Sequence, residues 1–343
     1  MRRVANRDSF RQQGDFTQKP LRRHDECNGD ISPPDPVGMK FSNCSILPLS
    51  RSPLELPEMP KVYCDHNFVI AGHDAPADYK ALLATAAHSG ISFVFSPWHW
   101  LEMARDHDRL RGLSVAAFVD SLQPLWLLDR VSLHAREISI ALFVKTGMPP
   151  NTGPAITTLE AVVDDLNRTR TGRSPSTRQR VALSSSEFVR GLQRIGDDHP
   201  LELAIRNNYE AHQQNMHDFC SGRLASWMLP NLDTKVARVL MESVHDLRAI
   251  SENVKEEFLK GFKVVLCPSI AVETAITHDG WRHYREMSDH NFRDLQHTMA
   301  LPYVDVFVTD DRAITAMVNR VLPKFPFRTA IVLTRAEFNG RYL

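Results

Sequence analysis

Lys61-Val62-Tyr63-Cys64 is a short apolar run that stops at Asp65 and passes through His66-Asn67 into a helix-like stretch. A second run of the same kind, Val304-Asp305-Val306-Phe307-Val308, stops at Thr309-Asp310-Asp311 and again leads into a helical pattern. In an open α/β sheet the carboxyl ends of the parallel strands line one crevice, where ligands bind. Two acids far apart in sequence are thereby expected to meet in space. Crowded carboxylates repel unless something cationic sits between them, and a hard divalent cation with oxygen ligands is the usual answer.

Working outward, a helix is expected over Ala77 to His88 and a second strand over Ile91 to Phe95. Ser96-Pro97 then makes a good helix start, since Ser caps free N–H groups and Pro suits the first helical position. From about Arg105 to Lys260 the pattern reads as helical, clearest at Ser114–Leu122, Thr158–Arg168, Glu187–Ile195, Glu202–Trp227 and Thr234–Lys260. Strand character returns at Phe262–Leu266, followed by a helix after Pro268. A helix over Phe292–Ala300 precedes the Val304–Val308 strand, Arg312–Val321 is helical, and Thr329–Leu333 is the last strand. Strand and helix alternate at both ends, which predicts an α/β fold whose two halves close one parallel sheet around an insertion. The expected organisation is a tail over 1–58, an α/β core over 59–104 and 262–343, and a mainly helical insertion over 105–261.

Carboxylates from four elements fall on the expected rim. Asp65 ends the first strand, Glu102 lies in the second turn of the helix leaving strand two, Asp294 opens a helix, and Asp310 and Asp311 end the later strand. Any one of them alone reads as an N-cap or a solvated helix face. Their shared rim and order favour a joint role.

That order and spacing resemble the PIN-domain family of metal-dependent nucleases. The family's first motif is an apolar strand ending in Asp with Asn or Ser two residues on, as in Val62-Tyr63-Cys64-Asp65-His66-Asn67. Its second is a Glu in the helix after strand two, matched by Glu102 within Ser96-Pro97-Trp98-His99-Trp100-Leu101-Glu102, 37 residues after Asp65. Its third is an Asp opening a helix, matched by Asp294-Leu295-Gln296-His297-Thr298-Met299-Ala300-Leu301-Pro302-Tyr303. Its fourth is a strand ending Thr-x-Asp, matched by Phe307-Val308-Thr309-Asp310-Asp311-Arg312, with Asp310 at the variable position. The resemblance covers about 59–104 and 262–335. It departs from the family in the length of 105–260 and in His66 and Phe68, which stand where small or aliphatic residues are more usual.

The resemblance implies a PIN-like three-layer α/β/α core around a central parallel sheet, and endonucleolytic cleavage of RNA. Asp65 would be the main metal ligand, with Asp294 and Asp311 completing the shell directly or through water. Glu102 would be a ligand or would orient the attacking water. Asn67 and Thr309 would hold the carboxylates in position, with Asp310 as a further supporting acid. An all-oxygen site with no Cys or paired His ligands favours Mg²⁺ or Mn²⁺. The family also admits an antitoxin or other protein partner and a homodimer, whose surface the insertion would replace or block. A catalytically silent PIN-like scaffold that binds RNA or protein is the alternative. A haloacid-dehalogenase phosphatase would need a second Asp where Asn67 stands, and a receiver domain would need an acid beside Pro60-Lys61.

RNA binding requires cations and stacking surfaces. With 41 Lys and Arg against 41 Asp and Glu, the 343-residue chain has no global basic field, so any such contact is local. Arg168, Arg170, Arg173, Arg178 and Arg180 lie in a Gly/Ser/Pro/Thr-rich stretch and read equally as a phosphate-tracking loop or a solvated linker. His297, one turn after Asp294, is the histidine expected to reach a phosphate; His66, His73, His99 and His290 read as packing or hydrogen-bonding residues. Trp98 and Trp100 flank Glu102 and read as core more readily than as base-stacking residues. Five scattered cysteines without CxxC spacing point to a reducing compartment, and the cytoplasm is the expected location. The apolar runs fall short of the roughly 20 residues a membrane span needs, and no signal peptide or membrane contact is expected. Residues 1–58 are rich in Arg, Asp, Pro, Ser and Gln, and read as a disordered or extended tail with no assigned role.

Overall fold

The computed structural model describes residues 60–146, 153–171, 184–196, 250–260, 266–283 and 289–343, with isolated positions at 262 and between 209 and 248. The expected tail over 1–58 lies outside the described residues. The chain is α/β. Its first half runs β1 (Lys61–Cys64), α1 (His66–Asp74), α2 (Ala77–His88), β2 (Ser92–Phe95), α3 (Pro97–Ala104), α4 (Arg109–Ser121), β3 (Leu125–Leu127), α5 (Arg130–Thr146), β4 (Ile156–Thr157), α6 (Leu159–Thr171) and α7 (Ser185–Ile195). It continues through α8 (His245–Arg248), α9 (Glu252–Lys260), α10 (Pro268–His283), α11 (Asp289–His297), β5 (Val306–Val308), α12 (Arg312–Val321), β6 (Ile331–Leu333) and α13 (Arg335–Tyr342).

The six strands form one sheet in the order β4-β3-β2-β1-β5-β6, parallel throughout except for the antiparallel edge pair β3–β4. Val62-Tyr63-Cys64, Phe93-Val94-Phe95 and Val306-Phe307-Val308 are buried without alternation. That is how central parallel strands behave when both faces are covered. The helices divide accordingly. α3, α4 and α7 pack together, α1 joins them through α4, and α10 packs against α5, α11 and α12. Phe338 of α13 meets Phe68 of α1 edge-on and packs beside Phe93 of β2, so the last helix closes over the first group.

Two differences from the expected organisation stand out. The segment 105–261 is not purely helical: β3 and β4 come from it and extend the sheet beyond β2. Leu125-Trp126-Leu127 is three residues long and directly follows the helical period of α4, which hides it in the sequence. No strand is found at Phe262–Leu266 among its described residues, and 263–265 lie outside them.

Burial of charge ties this segment to the core. Glu137 of α5, only 2% exposed, accepts the Ser269 and Ile270 N–H groups at 2.7 and 3.3 Å and the Tyr303 hydroxyl, satisfying free donors at the start of α10. Arg130 bridges Glu273 of α10 through Nε at 2.8 and 2.9 Å. Such groups are kept inside only when paired.

The strand order fixes where a ligand site belongs. From β1 the chain first builds outward through β2 and β3, then returns to lay β5 and β6 on the other side. The order reverses between β1 and β5, and the crevice at their carboxyl ends is the switch point. The register Cys64↔Val308 places Asp65 beside Thr309, and the Asp65 N–H donates to the Val308 carbonyl at 3.0 Å.

Candidate active site at the switch point

Asp65 leaves β1 and caps α1. Its Oδ1 accepts the Phe68 N–H at 2.8 Å, the usual service of an N-cap Asp. Its Oδ2 accepts the Thr309 hydroxyl at 2.7 Å. Thr309, buried at the end of β5, accepts in turn the Asp311 N–H at 3.0 Å. One hydroxyl thus joins the two strands that flank the switch point. Burial pushes the Asp65 carboxyl above its ordinary 3.8, outweighing the hydrogen bonds from Thr309 and Phe68 that favour the charged form. The charge of Glu102 adds to the upward push.

Glu102 reaches the same rim from α3 and is held differently. His297 Nε2 lies 3.1 Å from its Oε2, and His66 Nδ1 lies 3.5 Å from the same oxygen. Burial alone would raise the Glu102 pKa, but the His297 and His66 imidazoles bring it down from the ordinary 4.5 to about 2. Burial works against a charge on His297 as well, yet Glu102, Asp294 and Asp65 together raise its pKa above 6.5. Both shifts favour the carboxylate–imidazolium form of the pair. Burial lowers the His66 pKa, against the opposing pull of the Glu102 charge.

Behind this pair runs a buried polar chain. His297 Nδ1 lies 2.7 Å from the Tyr63 hydroxyl, which lies 2.8 Å from Ser96 Oγ. Ser96 ends β2 and caps α3. Its N–H donates to His99 Nδ1 at 3.1 Å, while His99 Nε2 donates to the Cys64 carbonyl at 2.8 Å. A carbonyl only accepts, so Nε2 carries the hydrogen and Nδ1 is free to accept from Ser96. One neutral tautomer satisfies both bonds. Burial and the neighbouring His297 bring the His99 pKa down to about 3, which keeps that tautomer neutral.

The remaining expected residues separate. Asp294 is half-buried in α11 and acts on the site through the charge it presents to His297. Asp311 caps α12, its Oδ1 accepting the Ala313 and Ile314 N–H groups at 2.7 and 2.9 Å. Asp310 faces solvent and accepts the Arg335 N–H at 2.9 Å. Asn67 is exposed, and the support expected of it comes instead from the Phe68 N–H. His297, the histidine expected at a phosphate, is 2% exposed, and both its ring nitrogens have partners inside the protein. Trp100 is core, stacked on Phe188 of α7 at 4.4 Å. The side chains of Arg168 and Arg170 lie outside the described residues, as do Arg173, Arg178 and Arg180 entirely.

Tyr63 and Ser96 form the buried polar chain behind His297, and the sequence assigned neither a place in the site. The available signal was a hydroxyl-bearing ring in an otherwise apolar central strand, where a buried tyrosine hydroxyl demands a partner. Among the described residues no group of three or more His, Cys, Asp and Glu side chains forms a ready-made metal set. No protein-family model, curated protein or solved structure matches this chain.

Proposed function

We propose that this chain is a divalent-metal-dependent endoribonuclease with a PIN-like three-layer α/β/α core. The Thr309–Asp65 bond carries the reading. It holds a buried carboxylate at the switch point of a doubly wound sheet, with its anionic form penalised by burial and a second, ionised carboxylate on the same rim. A buried acid in that state gains from a cation.

The donor chemistry fits a hard cation of the Mg²⁺ or Mn²⁺ class. Mg²⁺ is commonly bound through one or two carboxylates, with water and substrate phosphate oxygens completing its shell. A protein set of three or more donors is therefore not required. Asp65 would hold the ion, with Asp294 and Asp311 contributing directly or through water. When bound, the ion would neutralise the phosphate and acidify a water. Thr309 and the Phe68 N–H fix both oxygens of Asp65, and Glu102 supplies a fixed negative charge beside them. On this reading the Arg168–Arg180 stretch would track the RNA backbone.

One observation favours the scaffold alternative: Glu102 already has a cationic partner in His297. Cleavage of end-labelled RNA separates the two readings. Wild type is expected to cleave in Mn²⁺, EDTA to abolish cleavage, and Asp65→Ala or Asp311→Asn to reduce it by orders of magnitude while the melting curve stays cooperative. Cleavage that survives both substitutions points to a contaminant. Absence of cleavage across structured and single-stranded RNAs gives the scaffold reading.

A further inference from the structure

The last turn of α1 and the packed helix α4 bring a serine, a histidine and an aspartate into one hydrogen-bonded line. His73 Nε2 lies 2.9 Å from Ser114 Oγ, and His73 Nδ1 lies 2.8 Å from Asp74 Oδ1. A carboxylate only accepts, so Nδ1 carries the ring hydrogen. In the neutral ring Nε2 is then the acceptor, and the Ser114 hydroxyl donates to it. Asp74 keeps its charge, because Arg111 first and His73 second hold its carboxyl below the ordinary 3.8. Arg111 Nη2 donates to Asp74 Oδ2 at 2.6 Å and its Nη1 to Asp106 Oδ2 at 2.9 Å, so the second oxygen of Asp74 is fixed as well. The His73 ring meets Phe118 of α4 at a steep angle, with centroids 6.2 Å apart. Its side chain is 17% exposed, whereas Ser114 is open to solvent.

We propose that Ser114, His73 and Asp74 form a second reactive site, in which Ser114 is a nucleophile toward small activated esters. Nothing in it depends on the metal-dependent reading above. Nucleophile, base and orienting acid are each within hydrogen-bond reach of the next, the arrangement that activates serine on unrelated folds. Ser114 Oγ attacks the carbonyl carbon of the ester, and its proton passes to His73 Nε2. The bond from that carbon to the leaving oxygen then breaks, and the leaving alcohol takes the proton. Water, deprotonated by the same nitrogen, releases the acid and restores the hydroxyl. Asp74 is a positioning residue, holding the Nδ1–H and favouring the charged ring. Ser114 lies within α4, where backbone N–H groups are bonded along the helix and present no pair to a developing oxyanion. Esters with a good leaving group need that stabilisation least, so they are the substrate class, and amides are not.

Labelling of the full chain with a fluorophosphonate tests the assignment. Oγ displaces fluoride from phosphorus and leaves a stable adduct, which peptide mass mapping locates. Wild type is expected to carry its adduct on Ser114, and Ser114→Ala to carry none. With p-nitrophenyl acetate, wild type should release a stoichiometric burst of nitrophenolate that Ser114→Ala lacks. His73→Gln should slow labelling at least about a hundredfold, as loss of a general base does. Asp74→Asn changes only an exposed side chain, so it keeps the test decisive if His73→Gln does not fold. It should slow labelling at least about tenfold while melting stays cooperative, and Asp74→Glu, which restores a carboxylate, should recover much of the rate. A wild type that is unlabelled at Ser114, or labelling that runs at the wild-type rate in Asp74→Asn, overturns the proposal.

Discussion

Glu102 and Asp65 lie on the same rim with opposite consequences for stability. A carboxyl whose folded pKa is depressed stabilises the fold above its unfolded value, and that contribution disappears as pH falls through the folded value. Glu102, at about 2 against an ordinary 4.5, therefore stabilises the protein above pH 4.5 and loses that contribution on acidification toward pH 2. Asp65 has a raised pKa, so its charge costs stability above 3.8, and acidification relieves that cost. His297, raised above 6.5, contributes below that pH and loses its contribution as pH climbs through its elevated value. Metal-free wild type should consequently exceed Glu102→Gln in stability by about 3 kcal/mol near pH 6, the equivalent of the Glu102 shift. Urea denaturation from pH 6 to pH 2 should show the gap closing below 4.5. A gap that stays constant with pH would remove the Glu102–His297 ion pair from the account. At this scale the sequence was partly readable. Asp65 and Thr309 announce themselves at the ends of apolar strands, whereas the pairing of Glu102 with His297 joins residues 195 positions apart and has no local signature.

At the scale of elements, α3 is what delivers Glu102 to the rim, and its own placement depends on α4. Gly112 of α4 lies against the end of α3: a Cβ there would meet the Met103 carbonyl oxygen at 2.2 Å. A backbone carbonyl cannot swing aside as a side-chain tip can, so the two helices must separate. Overpacking of this kind typically costs about 1–3 kcal/mol. Gly112→Ala is expected to lose stability in that range by urea denaturation and to lower RNA cleavage as Glu102 shifts. Stability equal to wild type would show that α3 and α4 are not in this close contact. The helices and strands with strong punctuation were legible, among them α2, α3 with Ser96-Pro97, and α12 after Asp311. α13 has a Thr334–Glu337 capping box at its start, yet its short polar run left no strong apolar period. β3 and β4 were illegible because strands of three and two residues carry no alternation to detect.

Across the whole molecule, the parallel core was readable because buried central strands are continuously apolar, as Val62-Tyr63-Cys64 and Val306-Phe307-Val308 are. The extension of that sheet by the 105–261 segment was not. It depends on long-range contacts such as Arg130–Glu273 and Glu137 with Tyr303, which pair residues of the segment with residues that follow it. What the assembled sheet does is bring a buried carboxylate to the reversal between β1 and β5, where no ion pair holds it among the described residues. The most direct measurement of that claim is the melting temperature of wild type and Asp65→Asn, each in EDTA and in Mn²⁺. Asn keeps an oxygen for the N-cap of α1 and removes the charge, while its amide N–H donates to the Thr309 oxygen where the carboxylate accepted. The account predicts that Asp65→Asn melts a few degrees higher than wild type in EDTA, and that Mn²⁺ raises wild type while leaving the variant unmoved. An equal Mn²⁺-induced rise in both proteins, or a variant less stable than wild type in EDTA, would contradict it.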